Sequence, residues 1–288
     1  MGGSLIAVTG ASGQLGRLVV EALLRRGVPA GRVVAAVRDP GKAAGLAERG
    51  VQVRRADYAR AETLEAAFDG VGRLLLVSGN EVGQRVRQHE NVVRAAKRAG
   101  VELLAYTSIL RADTSGMILA GEHKETEAII RDSGLPYTLL RNGWYFENYH
   151  GPIKQAPAHG VILGSAGEGR VSAAARADYA EAAAAVLAGE GHSNKVYELA
   201  GDKGFTYGEL AGEVARQAGR EVIYQDVSAE KYAEALVGFG LPEPLARALA
   251  DSDLGIKRGE LFDEAADLRT LIGRPTTTLA EAVAEALK

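Results

Sequence analysis

The chain has 288 residues, enough for one sizeable core or for one core with a smaller attached domain. Hydrophobic residues make up 47%, charged residues 25%, and the formal net charge is −3, which predicts no electrostatic attraction to nucleic acid or to anionic lipid. The sequence contains no cysteine, so disulfides, thiolate metal sites and a cysteine nucleophile are excluded. Because no apolar run approaches the ~20 residues of a membrane span and no signal-peptide pattern is present, we expect a cytoplasmic protein.

Strand-like and helix-like segments alternate over the first 140 residues. Apolar runs predict strands at Leu5–Thr9, Val33–Val37, Val51–Arg54, Arg73–Val77, Leu103–Thr107 and Tyr137–Leu140. Helical patterns lie between them, at Gln14–Arg26, Ala61–Phe68, Gln84–Ala99 and Glu125–Ser133. This alternation predicts an α/β fold, a Rossmann doubly wound parallel sheet with helices on both faces.

The alternation loosens after Tyr149. An alanine-rich helix follows, and "KVYELAG" predicts a strand near residues 195–200 that rejoins the sheet. The remainder, from about Thr206, is mainly helical, and Thr278 with Glu281 three residues later is a capping-box pattern that opens the last helix. We therefore expect a first domain over residues 1–150 and a smaller, mainly helical domain over residues 151–288.

The segment "VTGASGQLGRLVV", residues 8–20, places Gly10, Gly13 and Gly16 between the first predicted strand and the first predicted helix. A tight turn, close approach of the backbone to a diphosphate, and packing of the helix near the strand each favour a residue without Cβ. The N–H groups of the first helical turn would then bind the anion. A glycine turn that serves packing alone is the alternative, but the position after the first strand favours dinucleotide binding.

Arg38 follows the second predicted strand, where NAD-binding sites usually carry a carboxylate for the ribose hydroxyls. An arginine there can hold a 2′-phosphate through two parallel hydrogen bonds, so the sequence favours NADPH over NADH. Asp39 argues against this choice, and a solvated surface cation is the alternative interpretation of Arg38. Asp57, at the end of the third predicted strand, is expected either to meet the adenine edge or to cap a helix.

Many reductases of this architecture deliver a proton from a tyrosine with a lysine four residues later. In "MILAGEHKETEAII" these positions hold Leu119 and His123, and the spacing occurs nowhere else in the sequence. Hydride addition to a ketone gives an alkoxide whose conjugate acid has a pKa of about 15.7, whereas a quinone gives a phenolate-like oxygen with a pKa of about 10. Because these ~6 units correspond to about 8 kcal/mol, a quinone acceptor can dispense with a built-in acid. A protein without catalytic activity would lack this tyrosine–lysine pair as well.

The segment "NGWYFENY" follows the sixth predicted strand, where an open parallel sheet presents its ligand crevice. Its aromatic rings and amides suit a flat acceptor beside a nicotinamide ring, although an aromatic hinge between the domains is the alternative for Trp144, Tyr145 or Phe146. Tyr145 or His123 could hydrogen-bond a quinone oxygen, and the alternative for His123 is a structural bond to a backbone carbonyl. The other histidines show no metal-ligand spacing, so no metal is predicted: His89, His150, His159 and His192.

Together with "GNEVGQR", "AYTS", "ADTS", "GEH", "DYA" and "GRPTTTLAE", these segments form an ordered set of motifs along essentially the whole chain. The set resembles the NAD(P)H:quinone oxidoreductases in the NmrA-like branch of the atypical short-chain dehydrogenases. This resemblance implies that residues 1–150 bind NADPH and that residues 151–288 close a cleft over the nicotinamide. It also implies two-electron hydride transfer to a small-molecule quinone.

The resemblance further implies which residues form the site. The diphosphate would be held by Gly10, Ala11, Ser12, Gly13, Gln14 and Leu15, and the 2′-phosphate by Arg38. The ribose would lie against Ser78, Gly79 and Asn80, although a close relative within the family has serines at the last two positions. The nicotinamide would be surrounded by Asn142, Gly143, Trp144, Tyr145, Phe146 and Glu147, with Arg170 reaching in from the second domain. The candidate catalytic residues are Tyr145, His123 and Asn142.

The sequence is therefore compatible with three functions. The leading one is an NADPH-dependent quinone oxidoreductase. The second is a non-catalytic NADP(H)-binding redox sensor of the NmrA type. A reductase of phenolic or alkene substrates is weaker, because the catalytic lysine of those enzymes is His123 here. The sequence is compatible with a homodimer.

Overall fold

The computed structural model describes residues 4–81 and 83–288, so Val82 within "GNEVGQR" and residues 1–3 of the predicted first domain lie outside the described residues. The described part of the chain contains nine strands: β1 (Leu5–Thr9), β2 (Val33–Val37), β3 (Gln52–Arg55), β4 (Val71–Leu76), β5 (Leu103–Ile109), β6 (Tyr137–Asn142), β7 (Val161–Gly164), β8 (Lys195–Leu199) and β9 (Ile223–Asp226). The same residues form twelve α-helices: α1 (Gln14–Arg25), α2 (Ala44–Ala47), α3 (Ala61–Ala67), α4 (Arg85–Arg98), α5 (Ile118–Asp132), α6 (His150–His159), α7 (Arg176–Ala188), α8 (Tyr207–Ala218), α9 (Ala229–Gly238), α10 (Glu243–Lys257), α11 (Asp267–Ile272) and α12 (Leu279–Leu287).

The main sheet has the strand order β3-β2-β1-β4-β5-β6-β8, and the strand pairs from β3 to β6 are parallel. In register, Ala7 on β1 lies between Val34 on β2 and Leu74 on β4. The strand order reverses between β1 and β4, and this is the switch point at which such sheets bind ligands. The predicted Rossmann doubly wound sheet is therefore confirmed.

The central strands are buried because helices cover both faces of the sheet. All five residues of β2 and all seven of β5 are buried, as expected for continuous apolar runs in a parallel sheet. The core beneath them contains Phe68, Leu74, Leu104, Tyr106 and Leu139. This core holds the carboxyl ends of the parallel strands in fixed positions.

The six strands predicted in the first half are all present, with shifts at their ends. β5 and β6 continue to Ile109 and Asn142, two residues beyond the predicted ends. Helix α5 begins at Ile118, seven residues before the predicted start, because Gly121 weakens the helical pattern in its first turn. Gly27 and Gly100 follow α1 and α4 with φ values of +83° and +69°, the left-handed conformation in which glycine commonly ends a helix.

The chain divides into two compact units that interleave along the sequence. Among the described residues, unit 1 contains those up to Ile109 together with Glu122–Asn142 and Arg176–Tyr197. Unit 2 contains Leu110–Gly121, Gly143–Ala175 and Glu198–Lys288. The assignment of residues 1–150 as the cofactor domain and 151–288 as the substrate or lid domain stays a prediction.

Unit 2 departs from the expected mixture of loops and helices, because β7 and β9 pair in parallel with Val161 opposite Ile223. Each strand has only four residues, and β9 is mostly exposed, so neither gives a clear apolar pattern. The capping box predicted at Thr278 and Glu281 is confirmed at the start of α12. No helix within residues 4–81 and 83–288 is long and apolar enough to cross a bilayer.

Candidate cofactor and substrate sites

The turn between β1 and α1 is built around glycines for two different reasons. Gly10 has a φ of +59°, in the left-handed region that side chains disfavour, and its carbonyl oxygen accepts a hydrogen bond of 2.9 Å from the Gly13 N–H. A Cβ on Gly16 would lie 2.4 Å from the Gly10 oxygen. The turn therefore requires Gly10 for its conformation and Gly16 for the close approach of α1.

The first turn of α1 offers its backbone N–H groups to an anion. The first N–H groups of a helix have no partner within the helix, and the N-cap residue Gly13 has no side chain to bind them. Ser12, Gly13 and Gln14 are exposed, while Ala11 and Leu15 are buried. This geometry fits the diphosphate of a dinucleotide, because the backbone is open and the helix dipole favours negative charge.

Buried hydroxyls connect this turn to the end of β4. The Thr9 hydroxyl donates to the Leu75 oxygen (3.0 Å) and accepts from the Val77 N–H (3.0 Å). The Tyr58 hydroxyl donates to the Val77 oxygen (2.8 Å) and lies 2.5 Å from Thr9 Oγ1. Burial raises the pKa of Tyr58, so its phenol keeps the proton that it donates. Thr9 and Tyr58 were not predicted, because the alternation of strand-like and helix-like segments does not show which side chains meet across strands.

The predicted ribose-binding residues follow β4 and are held by backbone hydrogen bonds. The Ser78 N–H donates to Thr107 Oγ1 (2.8 Å), and the Gly79 N–H donates to His89 Nε2 (3.0 Å). The Gly79 oxygen accepts from Arg85 Nε (2.7 Å), and Asn80 is exposed. A Cβ on Gly79 would lie no closer than 3.5 Å to another residue, so the backbone here does not require glycine.

His89 holds the loop after β4 through a defined tautomer. Because Nε2 accepts from Gly79, the ring proton lies on Nδ1, which donates to Thr126 Oγ1 (3.0 Å). The Thr126 hydroxyl in turn donates to the Glu122 oxygen (2.8 Å). Burial, assisted by the Arg85 charge, lowers the pKa of His89 to about 3. His89 is therefore a neutral positioning residue, which its sequence context did not indicate.

His123 is buried beside this cluster, and its Nδ1 lies 2.7 Å from the Tyr106 hydroxyl. Burial lowers the pKa of His123 well below 6.5, and the nearby Arg85 and His89 act in the same direction. Its partner is thus a tyrosine and not the backbone carbonyl expected for a structural histidine. A neutral imidazole can donate or accept a hydrogen bond, but it holds no extra proton to deliver near pH 7.

The acidic residues near Arg38 are engaged locally. Arg38 is exposed, and its Nη1 donates to Glu81 Oε1 (3.1 Å). Asp39 accepts from the Gly41 N–H (3.0 Å) and so caps the short 3₁₀ helix that follows it. Asp57 accepts from the Ala59 N–H (3.0 Å), which closes a turn before α3 and does not cap that helix. The Asp39 carboxylate is therefore occupied in a local cap.

The predicted nicotinamide-binding residues begin with Asn142, which is buried at the end of β6 opposite Ile109. Gly143 and the residues after it belong to unit 2, where Trp144 and Phe146 are buried and Tyr145 and Glu147 are half-buried. The Phe146 ring stacks on Phe205 at 5.7 Å, so it packs within unit 2. Arg170, in the same unit, donates to the Gly204 oxygen and pairs with Glu209 at 3.4 Å.

A buried ion pair that the sequence analysis missed lies directly before Asn142. Arg141 Nε and Nη2 donate to Glu127 Oε1 (2.9 Å) and Oε2 (2.7 Å), and both side chains are almost fully buried. The Ser108 hydroxyl also donates to Glu127 Oε1 (2.7 Å). These bonds join β5, β6 and α5 at the end of the sheet where Asn142 lies.

Unit 2 contains a cavity of about 660 Å³, within the range of ligand pockets. Its wall includes Asp253 and the aromatic rings of Trp144, Tyr149, Tyr207, Tyr232 and Phe239. The Tyr207 hydroxyl donates to Asp253 Oδ1 (2.6 Å), and the Ser165 N–H donates to Oδ2 (2.8 Å). Trp144 and Tyr149 belong to the predicted segment "NGWYFENY", whereas Tyr207, Tyr232 and Asp253 come from distant segments of the chain and were not predicted.

Burial raises the pKa of Asp253 from 3.8 to about 6, which makes its contribution to stability depend on pH. Because the folded state holds this proton more tightly than the unfolded chain, the free energy of unfolding should fall as the pH rises from about 4 to about 6. The difference corresponds to about 3 kcal/mol at most. In urea unfolding between pH 4 and 7, Asp253→Asn should therefore gain stability relative to the unsubstituted protein as the pH rises.

Glu213→Gln is the control for this prediction. The Arg216 guanidinium lowers the pKa of Glu213 from 4.5 to about 2, so the stabilising contribution of this carboxylate is lost only below about pH 4.5. The difference in stability between Glu213→Gln and the unsubstituted protein should therefore stay nearly constant between about pH 5 and about pH 7. Parallel pH curves for the unsubstituted protein and Asp253→Asn would contradict the assignment.

Within the described residues, no group of three or more His, Asp or Glu residues is placed to hold a metal ion, and the absence of a bound metal stays a prediction.

Comparison with known proteins places these features in a family. The NmrA-like family model matches residues 3–271. Quinone oxidoreductase 2 of Escherichia coli strain K12 is 54% identical over 279 residues, covering 97% of each chain. The crystal structure of NADPH-dependent quinone oxidoreductase from E. coli complexed with NADPH has a TM-score of 0.96 at 54% identity, covering 99% of this chain and 100% of that chain. The Citrobacter sp. triphenylmethane reductase complexed with NADP(H) has a TM-score of 0.94 at 43% identity, with coverage of 98% and 100%. The chain therefore belongs to the NmrA-like family.

Proposed function

We propose that this protein is an NADPH-dependent oxidoreductase that reduces a quinone by two electrons. The observation that carries the proposal is the β1–α1 turn, where the missing Cβ of Gly16 brings the open end of α1 against the Gly10 oxygen. A turn of this shape binds a dinucleotide diphosphate at the switch point of the sheet. Similarity over almost the full length to an NADPH-dependent quinone oxidoreductase supports both the cofactor and the acceptor.

Each part of the cofactor has a proposed set of contacts. The N–H groups of Ser12, Gln14 and Leu15 bind the diphosphate. Arg38 binds the 2′-phosphate, which replaces the Glu81 carboxylate as its anionic partner. The loop from Ser78 to Asn80 lies along the ribose, and Asp57 borders the adenine. Residues 142–147 and Arg170 contact the nicotinamide end. When bound, NADPH supplies the hydride.

The protein's own residues position the reactants and do not act covalently. His123 is neutral and Tyr106 is its partner, so its proposed role is limited to hydrogen bonding. Tyr145 and Asn142 are proposed to orient the nicotinamide and the acceptor. Reduction of a quinone can proceed this way because the oxygen that receives negative charge is phenolate-like, with a conjugate-acid pKa of about 10. We further propose that the protein is cytoplasmic and acts on a small molecule, not on nucleic acid. We also propose that it forms a homodimer.

The direct test is to mix the purified protein with NADPH and a benzoquinone and to follow nicotinamide absorbance against a blank without enzyme. Enzymatic turnover above the blank supports the proposed function. Binding of NADPH without turnover would contradict it and would favour the redox sensor that the sequence analysis retained as the alternative. Failure to bind NADPH would contradict both the oxidoreductase and the redox sensor.

Substitution of Arg38 tests the proposed 2′-phosphate contact. Arg38→Ala should weaken NADPH binding by about 10- to 100-fold, because the charge-assisted bonds are worth roughly 1.5–3 kcal/mol, and should leave NADH binding nearly unchanged. Dissociation constants for both nucleotides, measured by calorimetry, check this expectation. Arg94→Ala is the control, since Arg94 is an exposed arginine that pairs with Glu90 on α4. An unchanged preference for NADPH in Arg38→Ala would refute the contact.

A further inference from the structure

The wall of the cavity in unit 2 contains two kinds of side chain. One part consists of aromatic rings, and the Tyr149 and Tyr207 rings pack edge-to-face at 5.6 Å. The other part is aliphatic or phenyl and includes Leu236, Leu241 and Phe239. A flat ring suits the first part, and a hydrocarbon group or a second fused ring suits the other.

The carboxylate in the cavity wall is that of Asp253, and the wall also includes the imidazole of His159. Asp253 already accepts hydrogen bonds from Tyr207 and Ser165. Burial raises the pKa of Asp253 only to about 6, so the carboxylate is mainly ionised at pH 7 or above. Asp226 adds a second negative charge nearby, since it also raises the pKa of Asp253. An anionic ligand would be repelled, because charges in a low-dielectric cavity are poorly screened.

Two further tyrosines in the wall differ in what they can offer to a ligand. The Tyr149 hydroxyl is fully buried beside Tyr207. Tyr232 on α9 is only half-buried and lines the cavity. Burial and the charge of Asp253 raise the pKa of Tyr232, so its phenol keeps a proton to donate. Tyr232 is therefore the tyrosine suited to meet a ligand oxygen.

We propose that this cavity binds the quinone, and that it takes a neutral quinone with a fused ring or a hydrocarbon substituent, whose carbonyl oxygen accepts a hydrogen bond from Tyr232. The inference rests on the proposed function for the identity of the ligand. The carbonyl oxygens of a quinone accept hydrogen bonds, its ring is flat, and it carries no charge. The Tyr232 hydroxyl can donate to such an oxygen, and the aromatic wall fits a flat ring. A neutral ligand is not repelled by the negative charge of Asp253.

Trp144 provides a measurement that does not depend on catalysis. It is the only tryptophan of the chain and lines the cavity, so its fluorescence reports on a ligand bound there. Titration with 1,4-naphthoquinone in the absence of NADPH should quench this fluorescence to saturation. Tyr232→Phe should raise the dissociation constant by about 3- to 10-fold, the value of one neutral hydrogen bond. The sulfonated naphthoquinone should bind at least about 10-fold more weakly than the neutral one, because of Asp253.

Tyr137→Phe is the control outside the cavity. Tyr137 is half-buried on β6 in unit 1 and does not line the cavity, so removal of its hydroxyl should leave quinone affinity within about twofold. Equal affinity of the unsubstituted protein and Tyr232→Phe, or equal affinity for neutral and sulfonated quinones, would overturn the inference. Turnover of NADPH and quinone without saturable quenching would leave the proposed function intact and refute the cavity. Saturable, Tyr232-dependent quenching without turnover would support the cavity and refute the proposed function.

Discussion

Gly16→Ala is expected to lower the affinity for NADPH by at least about 100-fold and to cost about 1–3 kcal/mol of stability. The added Cβ would lie 2.4 Å from the Gly10 oxygen and 2.8 Å from the Gly10 carbonyl carbon. Because both neighbours are backbone atoms, the clash is relieved only if α1 moves away from the turn. That movement withdraws the N–H groups proposed to bind the diphosphate. Calorimetric titration with NADPH and urea unfolding measure the two effects.

Gly212→Ala is the control for this prediction. Gly212 lies in α8, is exposed, and has no atom within 4 Å of the position that a Cβ would occupy. Alanine should therefore stabilise the helix by about 0.5–1 kcal/mol and leave NADPH binding unchanged. If Gly16→Ala bound NADPH as tightly as the unsubstituted protein, the cofactor would not bind at this turn and the proposed function would lose its main support.

Glu127→Gln should destabilise unit 1 by about 3–5 kcal/mol. Arg141 and Glu127 are both almost fully buried and share two hydrogen bonds of 2.7 and 2.9 Å. A neutral amide in place of the carboxylate leaves the Arg141 charge in a medium of low dielectric without its counter-charge. Urea unfolding followed by circular dichroism measures the loss. Since Asn142 follows Arg141 directly, cofactor affinity should fall as well.

The control is Glu90→Gln, which breaks the ion pair between Glu90 and Arg94 on the exposed face of α4. Exposed pairs at this helical spacing contribute about 0.3–0.5 kcal/mol, so the change should be small. Similar costs for Glu127→Gln and Glu90→Gln would show that the buried pair is not a major contributor to stability.

The sequence was sufficient to predict the sheet and the family because both depend on local patterns. Buried parallel strands appear as continuous apolar runs. Gly10, Gly13 and Gly16 mark the turn by their spacing together with their position after the first predicted strand. The predicted Rossmann fold is confirmed by the strand order, and the predicted NmrA-like family is confirmed by the family match. The individual roles of the predicted site residues stay predictions.

The features that sequence reasoning missed depend on contacts between distant residues. Arg141 and Glu127 are 14 residues apart, and Tyr207 and Asp253 are 46 residues apart, so no local pattern connects them. The protonation states of His89 and His123 follow from burial, which a single histidine letter does not reveal. The strands β7 and β9 were missed because each has only four residues and β9 is mostly exposed, so neither forms a long apolar run.

The interleaving of the two units has a consequence for folding during translation. Helix α7 packs against α1, and the Arg25–Glu181 ion pair (3.6 Å) joins them, although 150 residues separate the two helices along the chain. At about 5–20 residues per second, α7 leaves the ribosome roughly 10–30 s after β1. Until then one side of the nascent sheet lacks its cover, and a fragment ending at residue 150 would keep that apolar surface exposed. Chaperones that bind exposed apolar surface would therefore find their target mainly during this interval.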